Sequence, residues 1–353
     1  MNHPSQTLNL YKSTILVICI SIFIGVCFDL SLTFLYAFIL VLSAFAIISQ
    51  KYLIISQKEL HVIFPFLLLV FIDKIYNDFI YNSEGIKAWF VLLYVFVFYV
   101  FLFRVRYKYG QLLWKVLYYI SLCVPPISIL IAPQLSDLNR EVSSFVFFCF
   151  FYSFYYRKKY RLLIFIYSFS FSCILCENRT VLLMYVVFLL ANKLFVYASH
   201  KKIIRFIPLL FILTFLLIGL GICTEFFFKE STIFTNRGIL WMSYLGAIFN
   251  SDNISTYLLG LTNSPKYIEE IMFNYGISGY MDRYPELFAM NHPHNGIVNI
   301  IFNSGLVGFC CFILFLCRSL KNINYNRLNF VLFLCFYVSF LFYGRSIFES
   351  IRP

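Results

Sequence analysis

Along this chain apolar residues come in long runs, and polar residues fall in short breaks between them. The runs centre in 14–28, 30–49, 60–72, 88–103, 112–133, 142–156, 161–176, 180–197, 203–223, 296–317 and 328–344. Charge-poor runs of about 20 residues cross the hydrocarbon core of a bilayer as helices. The pattern predicts an all-α fold class, a polytopic transmembrane helix bundle of about 11–12 spans. Pro125 and Pro126 fall inside the fifth run and predict a kink or break there. The runs divide the chain into three parts: an N-terminal bundle over 1–223, of about nine spans; a long loop over 224–295; and C-terminal transmembrane helices over 296–353.

Composition agrees, and charge gives the orientation. Hydrophobic residues make up 61% of the 353 residues and charged ones 12%, where a soluble protein keeps roughly a quarter charged. With the N-terminus placed in the cytoplasm, most of the 28 Lys and Arg residues fall in cytoplasmic loops such as "RKKYR" and "HKKIIR". Glu59 is then the one cytoplasmic member of the 16 acids. An excess of Lys and Arg marks cytoplasmic loops, so the long loop lies outside. The net charge of +12 is accounted for by loops facing anionic membrane lipids, with no nucleic-acid partner required. Lys12 precedes the first run and no small-residue cleavage site follows cleanly, so that run reads as an uncleaved span.

Metal chemistry finds little support. Most of the 11 cysteines sit inside apolar runs, where Cys behaves as a small hydrophobe. Cys173 and Cys176 form a C-x-x-C with no second pair, and a zinc site needs four suitably spaced ligands. His292 and His294 flank Pro293 with no third ligand in sight. The sequence predicts no metal and no cofactor.

Candidate chemistry gathers at the outer ends of the spans, where ionisable groups tend to mark substrate paths. Arg179 in "CENRTVLLMYVV" starts the eighth span, Arg237 in "FTNRGILWMSYL" opens a helix, and Arg345 in "FYGRSIFES" closes the last span. Each could simply snorkel to headgroups. Arg179 and Arg237, however, both follow an Asn and both begin a helix, whose N-terminus already favours an anion. After Arg237, the residues Ile239, Leu240, Tyr244, Leu245, Ile248 and Phe249 keep a helical period, which predicts an interfacial amphipathic helix. In "HPHNGIVNIIFNSGLVG", Asn295 is an N-cap candidate, and Gly305 and Gly308 allow close helix approach. His294, an acid/base group near neutrality, is either a helix-end contact or a participant in chemistry, with His292 beside it. Glu177, Asp282 and Glu286 are reserve bases or solvated loop acids. Trp241, Tyr280 and Tyr284 could stack on sugars or form an interfacial belt.

The segment "HPHNGIVNIIFNSGLVG" resembles the H-x-H-N segment, followed by G-x-x-G, of the bacterial O-antigen ligase/polymerase superfamily. Ten residues separate His294 from Gly305, matching the H-x10-G spacing of its polymerases. Arg179 in "ENRT" resembles the family's Ser-Arg at a span's outer end, with Asn178 in place of Ser. "NRGILWMSYLGAIFNSDNISTYLLG" resembles its Arg that opens a long periplasmic loop, followed by a Trp and a later Leu-Gly. The companion R-x15-G spacing is not met: the sixteenth residue after Arg237 is Asn253, and Gly260 is the nearest match.

That resemblance implies a GT-C-like bundle in the bacterial inner (cytoplasmic) membrane, with its active site facing the periplasm. It implies an O-antigen polymerase, a metal-independent glycosyltransferase that joins undecaprenyl-pyrophosphate-linked oligosaccharide repeat units. A chain-length regulator protein enters as a partner on the same footing. Arg179 and Arg237 would then bind the diphosphate, where negative charge develops as the glycosyl bond breaks. His294 would be the base for the attacking sugar hydroxyl or an orienting donor. Asn295, His292, Glu177, Asp282, Glu286 and Arg345 would support them. Two alternatives stand beside it: an O-antigen ligase with the same fold and donor, and a flippase or transporter, which would more often place its charges near the midplane.

Overall fold

A backbone segment made of Phe, Ile, Leu and Val meets its hydrogen-bonding needs within a helix, without help from side chains or water. The apolar runs fold accordingly. The computed structural model describes residues 57–76, 111–112, 114–127, 138–175, 179–197, 206–228, 237–261, 295–322 and 327–343, with isolated positions 13, 16, 17, 41, 44, 97, 129 and 293. Among them every regular element is helical. The runs expected at 14–28, 30–49 and 88–103 lie outside the described residues, apart from a few isolated helical positions. One described helix, Gly296–Leu320, is long and apolar enough to cross a membrane. Shorter apolar helices cover Leu60–Asp73, Val146–Tyr156, Thr180–Lys193, Pro208–Thr224 and Phe330–Leu341.

In chain order the helices are α1 (Gln57–Val70), α2 (114–127), α3 (Leu138–Tyr156), α4 (Arg161–Phe169) and α5 (Arg179–Tyr197). They continue with α6 (Phe206–Phe228), α7 (Arg237–Phe249), α8 (Ile254–Leu259), α9 (Gly296–Asn322) and α10 (Arg327–Tyr343). Wider π turns, Phe71–Tyr76 and Ser170–Leu175, extend α1 and α4. The chain forms two compact units. Unit 1 comprises Met1–Glu59, Leu93–Leu190 and Ser350–Pro353; unit 2 comprises Leu60–Leu92 and Ala191–Glu349.

Unit 1 is packed through aromatic rings. Phe188 of α5 lies edge-on to Phe150 and Phe154 of α3, with centroids 5.0 and 4.8 Å apart. Its polar groups are bonded across helices: the Tyr185 hydroxyl donates to Ser168 Oγ at 2.8 Å, and Ser172 Oγ donates to the Ser143 carbonyl at 3.1 Å. The prolines of α2 are resolved the same way. The helix runs through Pro125 and Pro126 to residue 127 instead of breaking there. Pro126 has no N–H for the carbonyl four residues before it, that of Leu122, and the Tyr167 hydroxyl of α4 donates to that carbonyl at 2.6 Å. Replacing Tyr167 with Phe keeps the ring and strands the carbonyl. We expect a loss of about 1 kcal/mol, read as a lower unfolding midpoint in detergent with the fold retained.

In unit 2, α9 is the central helix. Val298 and Phe302 pack with Ile218 of α6 and with Leu240, Trp241, Tyr244, Ala247 and Ile248 of α7. Ile297, Ile301, Cys311 and Phe312 pack with Leu69 of α1, Phe211 of α6 and Tyr337 and Leu341 of α10. Helices α1 and α9 run antiparallel: His61 meets Arg318, Phe66 stacks on Phe315 at 4.7 Å, and Leu69 sits against Gly308. Pro65 repeats the problem of α2, leaving the His61 carbonyl without its helical donor. Arg318 supplies one, its Nη1 donating to His61 O at 2.7 Å.

Helix α9 is itself broken. Gly305 has φ 59° and ψ −161°, a conformation open in practice to glycine alone. The backbone of α8 and Gly260 fills the break: a Cβ on Gly305 would run into the Leu258 carbonyl group, and one on Gly260 (φ 82°) would lie 2.6 Å from the Phe302 oxygen. The Leu261 N–H donates to that same Phe302 carbonyl at 2.6 Å. The glycine expected to permit close approach therefore also ends one helical segment, Gly296–Ser304, and starts another.

Candidate functional site

The N-terminus of α9 is built by its own sequence. Asn295 is buried, and its Oδ1 accepts from the backbone N–H groups of Ile297 (3.0 Å) and Val298 (3.1 Å). This satisfies two of the donors that a helix start leaves open, as the sequence predicts for Asn295. A Cβ on Gly296 beside it would meet the tip of the Phe340 ring of α10.

Helix α7 is locked onto this end. Trp241 is fully buried, and its indole Nε1 donates to the Pro293 carbonyl at 2.8 Å. Tyr244, one turn on, lies edge-on to Phe302 with centroids 4.7 Å apart. Arg237 is the first residue of α7, half-buried and one turn before Trp241. Residues four apart share a helix face, so Arg237 sits on the side of α7 that carries the Pro293 contact. The N-terminal end of α7 and the approach to α9 thus converge within unit 2. Each helix N-terminus carries a partial positive charge.

Two expectations change here. Helix α7 is buried within the protein along most of its length and not on one face alone: Gly238, Ile239, Leu240, Trp241, Ser243, Tyr244, Ala247 and Ile248 are all buried. Its apolar period reflects packing against α6 and α9. Trp241 is neither a sugar platform nor a belt residue, because both its ring and its N–H are occupied inside the protein.

Of the other candidates, Arg179 opens α5 as its position in "ENRT" predicts, and it belongs to unit 1. His292, His294, Glu177, Asp282, Glu286 and Arg345 lie outside the described residues, as do Tyr280 and Tyr284. The structure therefore links α7, the helix that Arg237 opens, to Pro293 through the Trp241 hydrogen bond, and it leaves Arg179 described in its own unit.

Sequence reasoning missed a polar stripe below the cap. Asn299 and Asn303 follow Asn295 at intervals of four, both buried, and Asn303 Nδ2 donates to Asn299 Oδ1 at 3.3 Å. With Ser304 and Asp73 they line a cavity between α1, its π turn, α9 and α10. The repeat of Asn every fourth residue in "NGIVNIIFN" was the signal that could have found it. No family model, no curated protein and no solved structure matches this chain.

Proposed function

We propose that this chain is a multi-pass membrane glycosyltransferase, an O-antigen polymerase that joins lipid-pyrophosphate-linked oligosaccharide units on the periplasmic face of the inner membrane. The observation that carries the reading is the Trp241–Pro293 hydrogen bond. It ties the helix that begins with Arg237 to Pro293, two residues before Asn295, which supports a site shared by the two motifs. Two converging helix N-termini and a guanidinium suit a diphosphate leaving group, which gains charge as the glycosyl bond breaks.

Two further features favour a bilayer setting for the whole chain. Large aliphatic side chains stand exposed on the short helices, among them Leu162 (72%) of α4 and Leu216 (63%) of α6. Soluble monomers seldom leave so much apolar surface uncovered. The carbonyls of Leu122 and Phe302, each at an interrupted turn, receive a donor from another part of the fold. Such re-satisfaction is what a setting without water demands.

Deleting the gene in its host tests the activity. Lipopolysaccharide capped with a single repeat unit is the expected result. Polymer retained on the lipid carrier with none on the core would instead identify a ligase. Loss of lipid-linked units from the periplasmic leaflet would identify a flippase.

A further inference from the structure

The turn between α3 and α4 concentrates positive charge that the helices around it do not offset. Arg157, Lys158, Lys159 and Arg161 place four cations within five residues, and neither 114–127 nor 142–175 contains an Asp or Glu. Two of the cations are held in place. Arg157 Nη2 donates to the Tyr119 hydroxyl of α2 at 3.2 Å, and the Arg161 guanidinium lies over the Phe154 ring, 4.4 Å from its centre. The backbone between them is fixed as well. The Arg157 N–H donates to the Ser153 carbonyl at 2.9 Å, and the Tyr160 N–H donates to the Arg157 carbonyl at 3.1 Å. Lys158 and Lys159 stand exposed on this frame.

An apolar strip begins where the charge ends. Leu162, Leu163 and Ile166 of α4 are all exposed, and Tyr156 and Tyr160 flank the turn with exposed rings. Leu162 and Ile166 are four residues apart and share a face of the helix. Cations joined to an uncovered aliphatic face, with tyrosines at the junction, complement a molecule that has an anionic head and hydrocarbon tails. We propose that this turn binds one anionic phospholipid, with its phosphodiester against the four cations and an acyl chain along Leu162 and Ile166.

Charge sets the class of lipid. A zwitterionic headgroup would bring its own cation into a cluster that holds no carboxylate, so the fitting headgroup is one with no amine, such as phosphatidylglycerol. Any Lys- and Arg-rich loop feels a diffuse pull towards anionic lipids, which salt screens and which fixes no stoichiometry. Here Arg157 and Arg161 are ordered before the lipid arrives, so binding need not order them. Basic pockets at the cytoplasmic ends of membrane helices hold single headgroups in this way. The inference rests on the bilayer setting proposed above and not on the glycosyltransferase reading.

The test uses the purified full-length protein in detergent. Bound lipid is counted by native mass spectrometry as dioleoyl phosphatidylglycerol or dioleoyl phosphatidylcholine is titrated. Saturation at one tightly held phosphatidylglycerol per chain is expected, with phosphatidylcholine at least about tenfold weaker. A double variant, Lys158→Gln with Lys159→Gln, should bind phosphatidylglycerol about thirtyfold more weakly, through the loss of two charges facing an anion. Both lysines are exposed, and an unchanged melting temperature shows the variant to be folded. The two lipids compared on the wild-type protein decide the matter without the variant. Equal retention of both lipids, unchanged affinity in the folded double variant, or displacement by inorganic phosphate at constant ionic strength overturns the site. Alkaline carbonate washing of cell membranes separates the two readings. Release of the protein overturns the bilayer setting and the site with it, whereas retention together with equal lipid binding overturns the site alone.

Discussion

Gly305→Ala is expected to remove most of the folded protein. At φ 59° and ψ −161° an alanine would occupy a region that side chains avoid, at a cost of about 1–3 kcal/mol for the backbone alone. Its methyl group would also meet the Leu258 carbonyl and the Leu259 nitrogen, which are backbone and cannot swing aside. Either α8 lifts away, and the Leu261–Phe302 hydrogen bond goes with it, or α9 straightens and its two segments lose their separate packing. The combined effect should exceed about 4 kcal/mol, at the severe end for one substitution. The measurement is the yield of monodisperse detergent-extracted protein together with its melting temperature. Gly219→Ala is the matched control: nothing lies within 4 Å of the added carbon, and a helical alanine should gain up to about 1 kcal/mol over glycine. Equal behaviour of the two variants would remove the break from α9.

Arg237→Ala should cost at least about a hundredfold in repeat-unit joining, the scale of losing one preplaced donor to a developing anion. The membrane level of the protein should stay unchanged, because Arg237 is half-buried at a helix start while the packing of α7 rests on Trp241, Tyr244 and Ile248. Arg237→Lys should recover only part of the activity, since an ammonium cannot bind two phosphate oxygens side by side. His294→Ala and Arg179→Ala are expected to abolish chain extension as well. The readout is the lipopolysaccharide ladder of a complemented deletion strain, with immunoblotting of the membrane fraction. A full ladder from any of these variants would remove that residue from the proposed site.

The local features of the fold were legible in the sequence. Helix positions follow from apolar runs because a helix satisfies the backbone of an apolar segment without side chains or water. The Asn295 cap follows from a short polar side chain placed just before a run, and the structure shows it with two bonds. Features that need a distant partner were not legible. Gly305 reads as a small contact residue until Gly260 and α8 dock on it, and those lie 45 residues earlier in the chain. Pro125 and Pro126 predict a break only if no neighbour offers a donor, and Tyr167 offers one. An aromatic residue such as Trp241 has the same local signature whether it faces a ligand or a helix, so packing alone decides. Of the candidate site, the Arg-led helix and the Asn cap were placed by local rules. The tie from Trp241 to Pro293 was not.

The Arg318–His61 contact has a bearing on how the chain is assembled. Its two residues are 257 positions apart, so α1 is made long before its partner exists. At ribosomal speeds of roughly 5–20 residues per second, that delay is about 13–50 s. Throughout it the carbonyl above Pro65 has no protein donor at Arg318 to meet, and it must be served by water at the exposed His61 end of the helix. The packing of α1 is thereby incomplete at first: α1 can settle against α9 only once α9 has been synthesised. A chain that stops short of residue 318 would carry an early helix still waiting for its last hydrogen bond, a mark by which quality control could tell an unfinished protein from a finished one.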